Sequence, residues 1–333
     1  MTAALTPLPG VSMERPKPAQ RLEPAAIEPQ WETAVRLQVF LDWVEFSPGK
    51  IDGRFNEYTR KALALYREAQ GGPAADLLAL SECDEDDEAA PDVSGLGLGS
   101  MGPVLIYYTV TSEDLESVGQ LPVSLIEQEK EERLPYRNAV EALAEKFHTA
   151  VDFLEQLNPG MTSGVQVGDR LRVPNVVPFE YAAVRTLEGG EELREPLPEP
   201  IALRVDTRSG MLMVFEGQEM IAAYPVSVGM GQTSTPVGEW RVRRVKRFPT
   251  MRYDEAMLAQ GVRSTVFHML PPGPNNPLGV VWISTTRDGI GLHGTDEPEL
   301  VGLVPSHGCV RLANWDIVRL ARKVKDEVPV VVE

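Results

Sequence analysis

One cysteine and two histidines lie close together near the C-terminal end of this 333-residue chain. Cys309 follows His307 in a Ser-His-Gly-Cys string, and His293 lies a short way upstream. A thiol of ordinary pKa is only slightly ionised at neutral pH, so a nucleophilic cysteine needs a neighbouring base. The three side chains therefore predict a cysteine nucleophile that is activated by histidine.

A structural role is the alternative, in which Cys309 is a small buried apolar residue and the histidines satisfy turns. The chain has 4 histidines and 2 cysteines, and half of each kind lie in this stretch, which favours chemistry. If the segment is extended, His307 and Cys309 project from one face, whereas His293 must approach through the fold. Gly308 would let backbone N–H groups approach a developing oxyanion.

The strings around these residues resemble a known family. His293-Gly-Thr295 and Ser306-His-Gly-Cys-Val-Arg-Leu312 are similar to the signature of the L,D-transpeptidase catalytic domain. Ser234–Trp240, with its Thr-Pro-Val-Gly run, and Pro272–Gly279, with Asn-Pro-Leu-Gly, resemble two further segments of that domain. The resemblance covers about residues 200–333.

The resemblance implies a role for each matched residue. Cys309 would accept the acyl group, His293 would deprotonate it, and the Gly294 carbonyl would orient the imidazole. For Arg311, a structural salt bridge and binding of a substrate carboxylate are equally open. The oxyanion and substrate pocket would be lined by Ser306, His307, Gly308 and Arg311.

The implied reaction starts with attack of the cysteine on the carbonyl of the third residue of a peptidoglycan stem tetrapeptide, releasing terminal D-alanine. An amine of another stem, or of a protein to be attached to the wall, would then take the acyl group. Water as acceptor would make the chain an L,D-carboxypeptidase, and a non-catalytic peptidoglycan-binding scaffold is a third possibility. The resemblance further implies no metal or cofactor, a role in cell-wall biogenesis and cell shape, and acylation by carbapenems.

Two regions ahead of this domain resemble wall-binding modules. Residues 29–72 resemble the small helical peptidoglycan-binding domain, through Leu37-Gln-Val-Phe-Leu41 and Thr59-Arg-Lys-Ala-Leu63, with Asn56 as the cap of the second helix. Residues 104–178 resemble a LysM glycan-binding module with an insertion near 114–138. Its matching strings are Tyr108-Thr-Val110, Leu157-Asn-Pro-Gly160 and Val165–Asn175.

The composition of the chain predicts a tail and two linkers that separate these regions. Residues 1–28 predict a disordered tail, 73–103 an acidic and Gly-rich linker that cannot order itself, and 179–200 a Pro/Glu connector. The predicted fold class is therefore multidomain, with a small α-helical domain, a central α+β LysM-like module, and a mainly-β, β-sandwich-like catalytic domain at 201–333. That last domain has one clear helix, which we expect Asn314 to cap, and Asn275–Gly279 and Met251–Val262 are candidate lid segments.

The formal net charge of -17 comes from the first 200 residues, which disfavours nucleic acid as a partner. Cys83 lies in an acidic run, so a Cys83–Cys309 disulfide is not favoured. No apolar stretch is long enough to span a membrane, and no export signal is visible. We expect a monomer in the cell envelope, in the periplasm or at the outer face of the cytoplasmic membrane. Its partners would be stem peptides and, through the front modules, glycan strands.

Overall fold

The computed structural model describes residues 23–81, 90–186 and 200–333. They form a helical unit, a central α+β unit and a mainly-β C-terminal unit, in agreement with the predicted fold class. None of the helices within these ranges combines the length and apolar character that a membrane span needs.

The helical unit is built on α1 (Pro29–Trp43) and α2 (Glu57–Ala69). Asn56 caps α2 as predicted, because its side chain accepts from the Thr59 N–H at 2.8 Å. The buried Gln38 side chain accepts from the Gly53 N–H at 3.0 Å and so fixes the turn between the helices. Gly53 has a φ of 72°, which explains why glycine occupies this turn.

The predicted linker at 73–103 is partly ordered, and that expectation was wrong. α3 (Leu77–Ser81) and a 3₁₀ turn at Leu98–Ser100 bury Leu77 and Leu98 in the core of the helical unit. One buried leucine in each of these two elements is enough to order the element, because the helical unit already offers an apolar surface. Cys83 lies outside the described residues, so the structure does not describe the position at which a disulfide was not favoured. Cys309 is a free thiol.

The central unit has a three-stranded antiparallel sheet in the order β1 (Glu23–Pro24), β2 (Leu105–Thr109) and β3 (Arg170–Pro174). Because β1 pairs with β2, the tail prediction for 1–28 is wrong for the strand residues Glu23 and Pro24. The insertion brings α4 (Ser112–Leu115) and α5 (Leu125–Gln128). The helical stretch before β3 is two helices, α6 (Ala139–Lys146) and α7 (Val151–Leu157), separated where His148 takes a φ of 53°.

The connector predicted at 179–200 begins as part of the C-terminal unit. Its α8 (Tyr181–Thr186) follows Phe179, and Phe179 and Val184 are buried in the same core as the sheet. The strands of this unit are β4 (Ile201–Asp206), β5 (Met211–Glu216), β6 (Glu219–Pro225), β7 (Gly238–Arg247), β8 (Met251–Tyr253), β9 (His268–Leu270), β10 (Val281–Thr285), β11 (Gly291–His293), β12 (Val310–Arg311) and β13 (Pro329–Val332); its other helices are α9 (Glu255–Gln260) and α10 (Asn314–Lys323).

Eight of these strands form one mixed sheet in the order β12-β11-β10-β7-β13-β4-β5-β6, and β8 and β9 form a separate hairpin. Helix α10 packs Ile317, Leu320 and Ala321 into the core that both halves of the sheet share. These residues recur at helical spacing, which is why the sequence predicts the helix. The expected cap is wrong, because Ala313 is the N-cap residue and Asn314 makes no cap hydrogen bond.

The other face of α10 contacts the helical unit and the central unit, the two front units, through polar groups. Arg319 donates two hydrogen bonds to Asp42 of α1, at 3.1 and 2.8 Å, and Asp42 also bonds to Nδ1 of His148 at 2.8 Å. Burial opposes ionisation of Asp42, but the charges of Arg319 and His148 outweigh it and hold its pKa well below the usual range. Asp316 accepts from the Ser47 hydroxyl at 2.8 Å. The three units are therefore joined by buried hydrogen bonds.

We expect Asp42→Ala to lower the free energy of unfolding by about 3–5 kcal/mol, because it leaves the buried guanidinium of Arg319 without its carboxylate. Urea unfolding followed by circular dichroism measures this. Glu32→Ala on the same helix breaks a half-exposed pair with Arg36 and serves as control, with an expected loss of about 0.5 kcal/mol. Equal losses in the two variants would contradict the structural role of Asp42.

Candidate active site

Strand pairing brings the segment of Cys309 beside the strand of His293. β11 and β12 run parallel, with Leu292 paired to Val310 and His293 to Arg311. Cys309 directly precedes β12, and its thiol receives a hydrogen bond from the Gly291 N–H of β11. The thiol therefore lies at β11, on which His293 follows Gly291 by two residues.

Trp282 forms a wall of this site. It pairs with His293 across β10 and β11, and its ring stacks on the imidazole with centroids 5.7 Å apart. A Cβ on Gly291 would lie 2.6 Å from the Trp282 ring, so only glycine leaves room for the indole there. Trp282 was not among the site residues that the sequence predicted. The strand alternation of Trp282 was the signal that could have indicated its place.

The imidazole of His293 is buried and held by a backbone carbonyl. Its Nδ1 lies 2.5 Å from the Gly294 oxygen. A carbonyl can only accept, so Nδ1 carries the proton and Nε2 keeps a lone pair. Burial lowers the pKa of His293 to about 4, with a further lowering by the Arg311 charge and an opposing effect of the Gly294 bond. His293 is therefore neutral at pH 7 and able to accept a proton at Nε2.

The thiol of Cys309 is neutral as well. It lies 3.8 Å from the Gly289 carbonyl, to which it can donate. Burial raises the pKa of the thiol to about 11, and a backbone hydrogen bond from Gly291 opposes this only in part. Cys309 and His293 thus form a neutral pair.

The segment before Cys309 is a tight turn held by Ser306. The Ser306 hydroxyl donates to the Cys309 carbonyl at 2.5 Å and accepts from the Gly308 N–H at 3.3 Å. Gly308 has a φ of 108°, so the segment is not extended. The argument that His307 and Cys309 share a strand face therefore does not hold, and the His307 side chain is exposed.

Gly308 is pressed against a second glycine, Gly229. A Cβ on Gly229 would lie 2.6 Å from the Gly308 nitrogen. Thr235 of the Thr-Pro-Val-Gly segment fixes this approach, because its hydroxyl accepts from the Gly229 N–H at 2.7 Å. The Thr-Pro-Val-Gly segment, which carries part of the family resemblance, thus helps to pack the turn before Cys309.

Arg311 makes contacts with backbone and hydroxyl oxygens of the loop that leads to Ser306. Its Nη2 donates to the Val304 carbonyl at 2.6 Å and to the Ser227 hydroxyl at 3.3 Å. Burial lowers the pKa of Arg311, while Asp296 and Glu297 raise it. The structure gives Arg311 a role in holding this part of the chain, while the structural salt bridge and the binding of a substrate carboxylate stay predictions.

The two candidate lid segments differ. Asn275 and Asn276 are buried, and the Asn275 amide donates to the Pro135 carbonyl of the central unit at 2.7 Å. A lid at Asn275–Gly279 is therefore contradicted, because this segment is pinned from outside the sheet. The hairpin that contains Met251–Val262 is tied to the insertion, where His268 Nδ1 lies 3.0 Å from Glu129. Within the described ranges no three His, Cys, Asp or Glu side chains meet as metal ligands would.

Comparison with known proteins agrees with this geometry. Residues 200–332 match the L,D-transpeptidase catalytic domain, YkuD. A putative L,D-transpeptidase YqjB of Bacillus subtilis is 30% identical over 134 residues, which are 39% of this chain and 69% of that protein. The putative L,D-transpeptidase YkuD of Bacillus licheniformis is 27% identical over 183 residues, 55% of this chain and 86% of that protein.

The C-terminal unit thus has the catalytic domain of the L,D-transpeptidase class. The chain belongs to the L,D-transpeptidase family. Among solved structures, an L,D-transpeptidase from Mycobacterium smegmatis matches 40% of this chain and 58% of its own, at 18% identity and a TM-score of 0.33. LdtMt1 in complex with imipenem gives the same TM-score of 0.33, with 59% of that chain covered.

The raised pKa of Cys309 predicts slow alkylation at neutral pH. The thiolate fraction should grow about tenfold per pH unit between pH 7 and 10, because the whole range lies below the thiol pKa. Iodoacetamide labelling of the Cys309 peptide, followed by mass spectrometry, measures the rate. In urea the same peptide should level off near pH 9. A plateau of the folded protein below pH 7 would indicate a preformed thiolate and contradict the neutral pair.

Proposed function

We propose that this chain is a peptidoglycan L,D-transpeptidase with Cys309 as nucleophile and His293 as base. The observation that carries the proposal is the hydrogen bond from the Gly291 N–H to the Cys309 thiol, which sets the thiol at the strand of His293, together with the Nδ1 bond that leaves a lone pair on His293 Nε2. Cys309 attacks the carbonyl of the third stem residue while His293 takes the thiol proton. The C–N bond to D-alanine then breaks as the proton passes to the leaving amine, which leaves a thioester.

The second half of the reaction reverses these roles. An acceptor amine attacks the thioester, gives a proton to His293, and leaves with the acyl group, while the sulfur recovers its proton. A stem-peptide amine gives a cross-link between two stems, and a protein amine gives attachment to the wall. The Gly308 and Cys309 N–H groups are the proposed oxyanion donors, and His307 and Ser306 belong to the rim and the floor of the pocket.

Cys309→Ala should abolish release of D-alanine from a defined tetrapeptide and acylation by a carbapenem, because no nucleophile remains. Product analysis by mass spectrometry checks both. The matched control is Cys83→Ala, which removes the other cysteine and should keep both reactions. Turnover by Cys309→Ala would exclude the proposed mechanism, and release of D-alanine without acyl transfer to any amine would identify a carboxypeptidase.

We further propose that the chain acts in the cell envelope and that its front units, 29–72 and 104–178, bind peptidoglycan. The resemblances of these units to wall-binding modules support this, whereas the inserted segment of the central unit is used in contacts with the catalytic unit.

Sedimentation with purified sacculi separates anchoring from catalysis. Cys309→Ala should sediment like the unmodified chain, since the proposed binding surfaces lie outside the thiol site. A lysozyme-digested sacculus preparation is the control and should retain little of either protein. If neither protein sediments with intact sacculi, the binding role of the front units is wrong.

A further inference from the structure

The amide of Asn314 is fully buried and uses its hydrogen-bonding capacity in full. Its Oδ1 accepts from the N–H groups of Val280 at 3.1 Å and Thr295 at 3.3 Å. Its Nδ2 donates to the Thr295 carbonyl at 2.8 Å and to Glu145 Oε1 at 2.8 Å. An amide has two N–H donors and two lone pairs, so each is occupied here. Asn314 thereby joins the residue before β10, the residue after Gly294, and the central unit.

Gly294 is trapped against this amide. A Cβ on Gly294 would lie 2.0 Å from Asn314 Oδ1, and one on Gly279 would lie 2.1 Å from the same atom. The Gly294 N–H also bonds to the Val281 carbonyl at 3.1 Å. The Gly294 carbonyl in turn holds Nδ1 of His293 at 2.5 Å. A displacement of Asn314 must therefore move the group that sets the imidazole.

Glu145 is the partner of Asn314 that comes from outside the catalytic unit. It lies on α6, it is buried, and its second carboxyl oxygen accepts from the Tyr136 hydroxyl. Burial raises the pKa of Glu145 to about 8, more than the bonds from Tyr136 and Asn314 lower it. A glutamine can reproduce the oxygen that accepts from Asn314.

We propose that Glu145 is a positioning residue, which acts through Asn314 and Gly294 to hold the imidazole of His293. The central unit is then a part of the active-site scaffold in addition to any wall-binding role. The effect on rate rests on the function proposed above, whereas the effect on the imidazole does not.

Substitutions of Glu145 test this in the full chain. Glu145→Met keeps an unbranched side chain of similar size but removes the acceptor for Asn314. Glu145→Gln keeps that acceptor. An alanine is less useful, because Glu145 lines a cleft of about 390 Å³ from which water could replace the lost oxygen. The matched control is Glu45→Met, since Glu45 also joins a front unit to the catalytic unit, through Tyr224 at 2.9 Å and Lys323 at 2.9 Å.

Proton–nitrogen NMR of the imidazoles is the deciding measurement, with the His293 signals assigned from a His293→Ala variant. In Glu145→Met we expect the Nδ1–H signal of His293 to exchange faster, because the bond of Nδ1 to the Gly294 carbonyl is loosened. Glu145→Gln and Glu45→Met should keep the unmodified spectrum. An unchanged His293 signal in a folded Glu145→Met protein overturns the proposal, and so does an equal change in Glu45→Met.

Kinetics with a tetrapeptide donor gives the second readout. Glu145→Met should lower kcat by up to about a hundredfold with KM unchanged, since substrate contacts are kept but the base is misplaced. If Glu145→Gln keeps the kcat of the unmodified chain, the loss in Glu145→Met comes from the missing acceptor and not from general damage to the fold. If Glu145→Met does not fold, Tyr136→Phe loosens the same carboxyl and should show a smaller change of the same kind, and no change there overturns the proposal. A protein without D-alanine release in any variant refutes the proposed function, while the NMR result still decides the positioning role.

Discussion

Helix α10 is buried on two sides, and the arrangement of the three units depends on this. Its apolar side packs on the sheet, and its polar side carries Asp316 and Arg319 into contact with Ser47 and Asp42. Removing these groups from water is unfavourable, and their hydrogen bonds and ion pairs offset the loss. Burial raises the pKa of Asp316 to about 7, whereas the pKa of Asp42 lies well below its usual range, so Asp42 carries the full charge that pairs with Arg319. The interface is thus specific for one docking geometry.

The same helix begins at the site. Its first residue, Asn314, reaches back to the loops after Gly279 and after His293, and its second, Trp315, stacks on His148 of the central unit with ring centroids 5.0 Å apart. A neutral thiol and a neutral imidazole have no mutual charge attraction to hold them in place. Their alignment must come from backbone contacts of this kind. A rigid junction between α10 and the central unit therefore has a chemical consequence in the site, beyond its contribution to stability.

The sequence predicts the local features well. The Cys309 and His293 strings and the Thr-Pro-Val-Gly segment are contiguous patterns that carry the resemblance to the family, and the apolar residues of α10 recur at helical spacing. The capping of α2 by Asn56 is equally local. Local rules also predicted that Asn314 caps α10 and that His307 shares a strand face with Cys309, and both predictions were wrong. Asn at the start of a helix is commonly a cap, but a buried amide between two glycines has stronger partners. The face argument for His307 needed an extended chain, which the φ of Gly308 excludes.

Contacts between distant parts of the chain could not be predicted, because their residues look like ordinary surface groups. Arg319 and Lys323 lie on the polar side of an amphipathic helix, where solvent is the usual neighbour. Their partners, Asp42 and Glu45, are in a unit more than two hundred residues earlier. The insertion near 114–138 has no counterpart in the LysM module that the central unit resembles. In the structure it presents Leu134 and Pro135 to the Pro272–Gly279 segment. The insertion in the central unit can thus be explained by its contacts with the catalytic unit. If the central unit acts as a scaffold for the active site, its divergence from a glycan-binding module is expected.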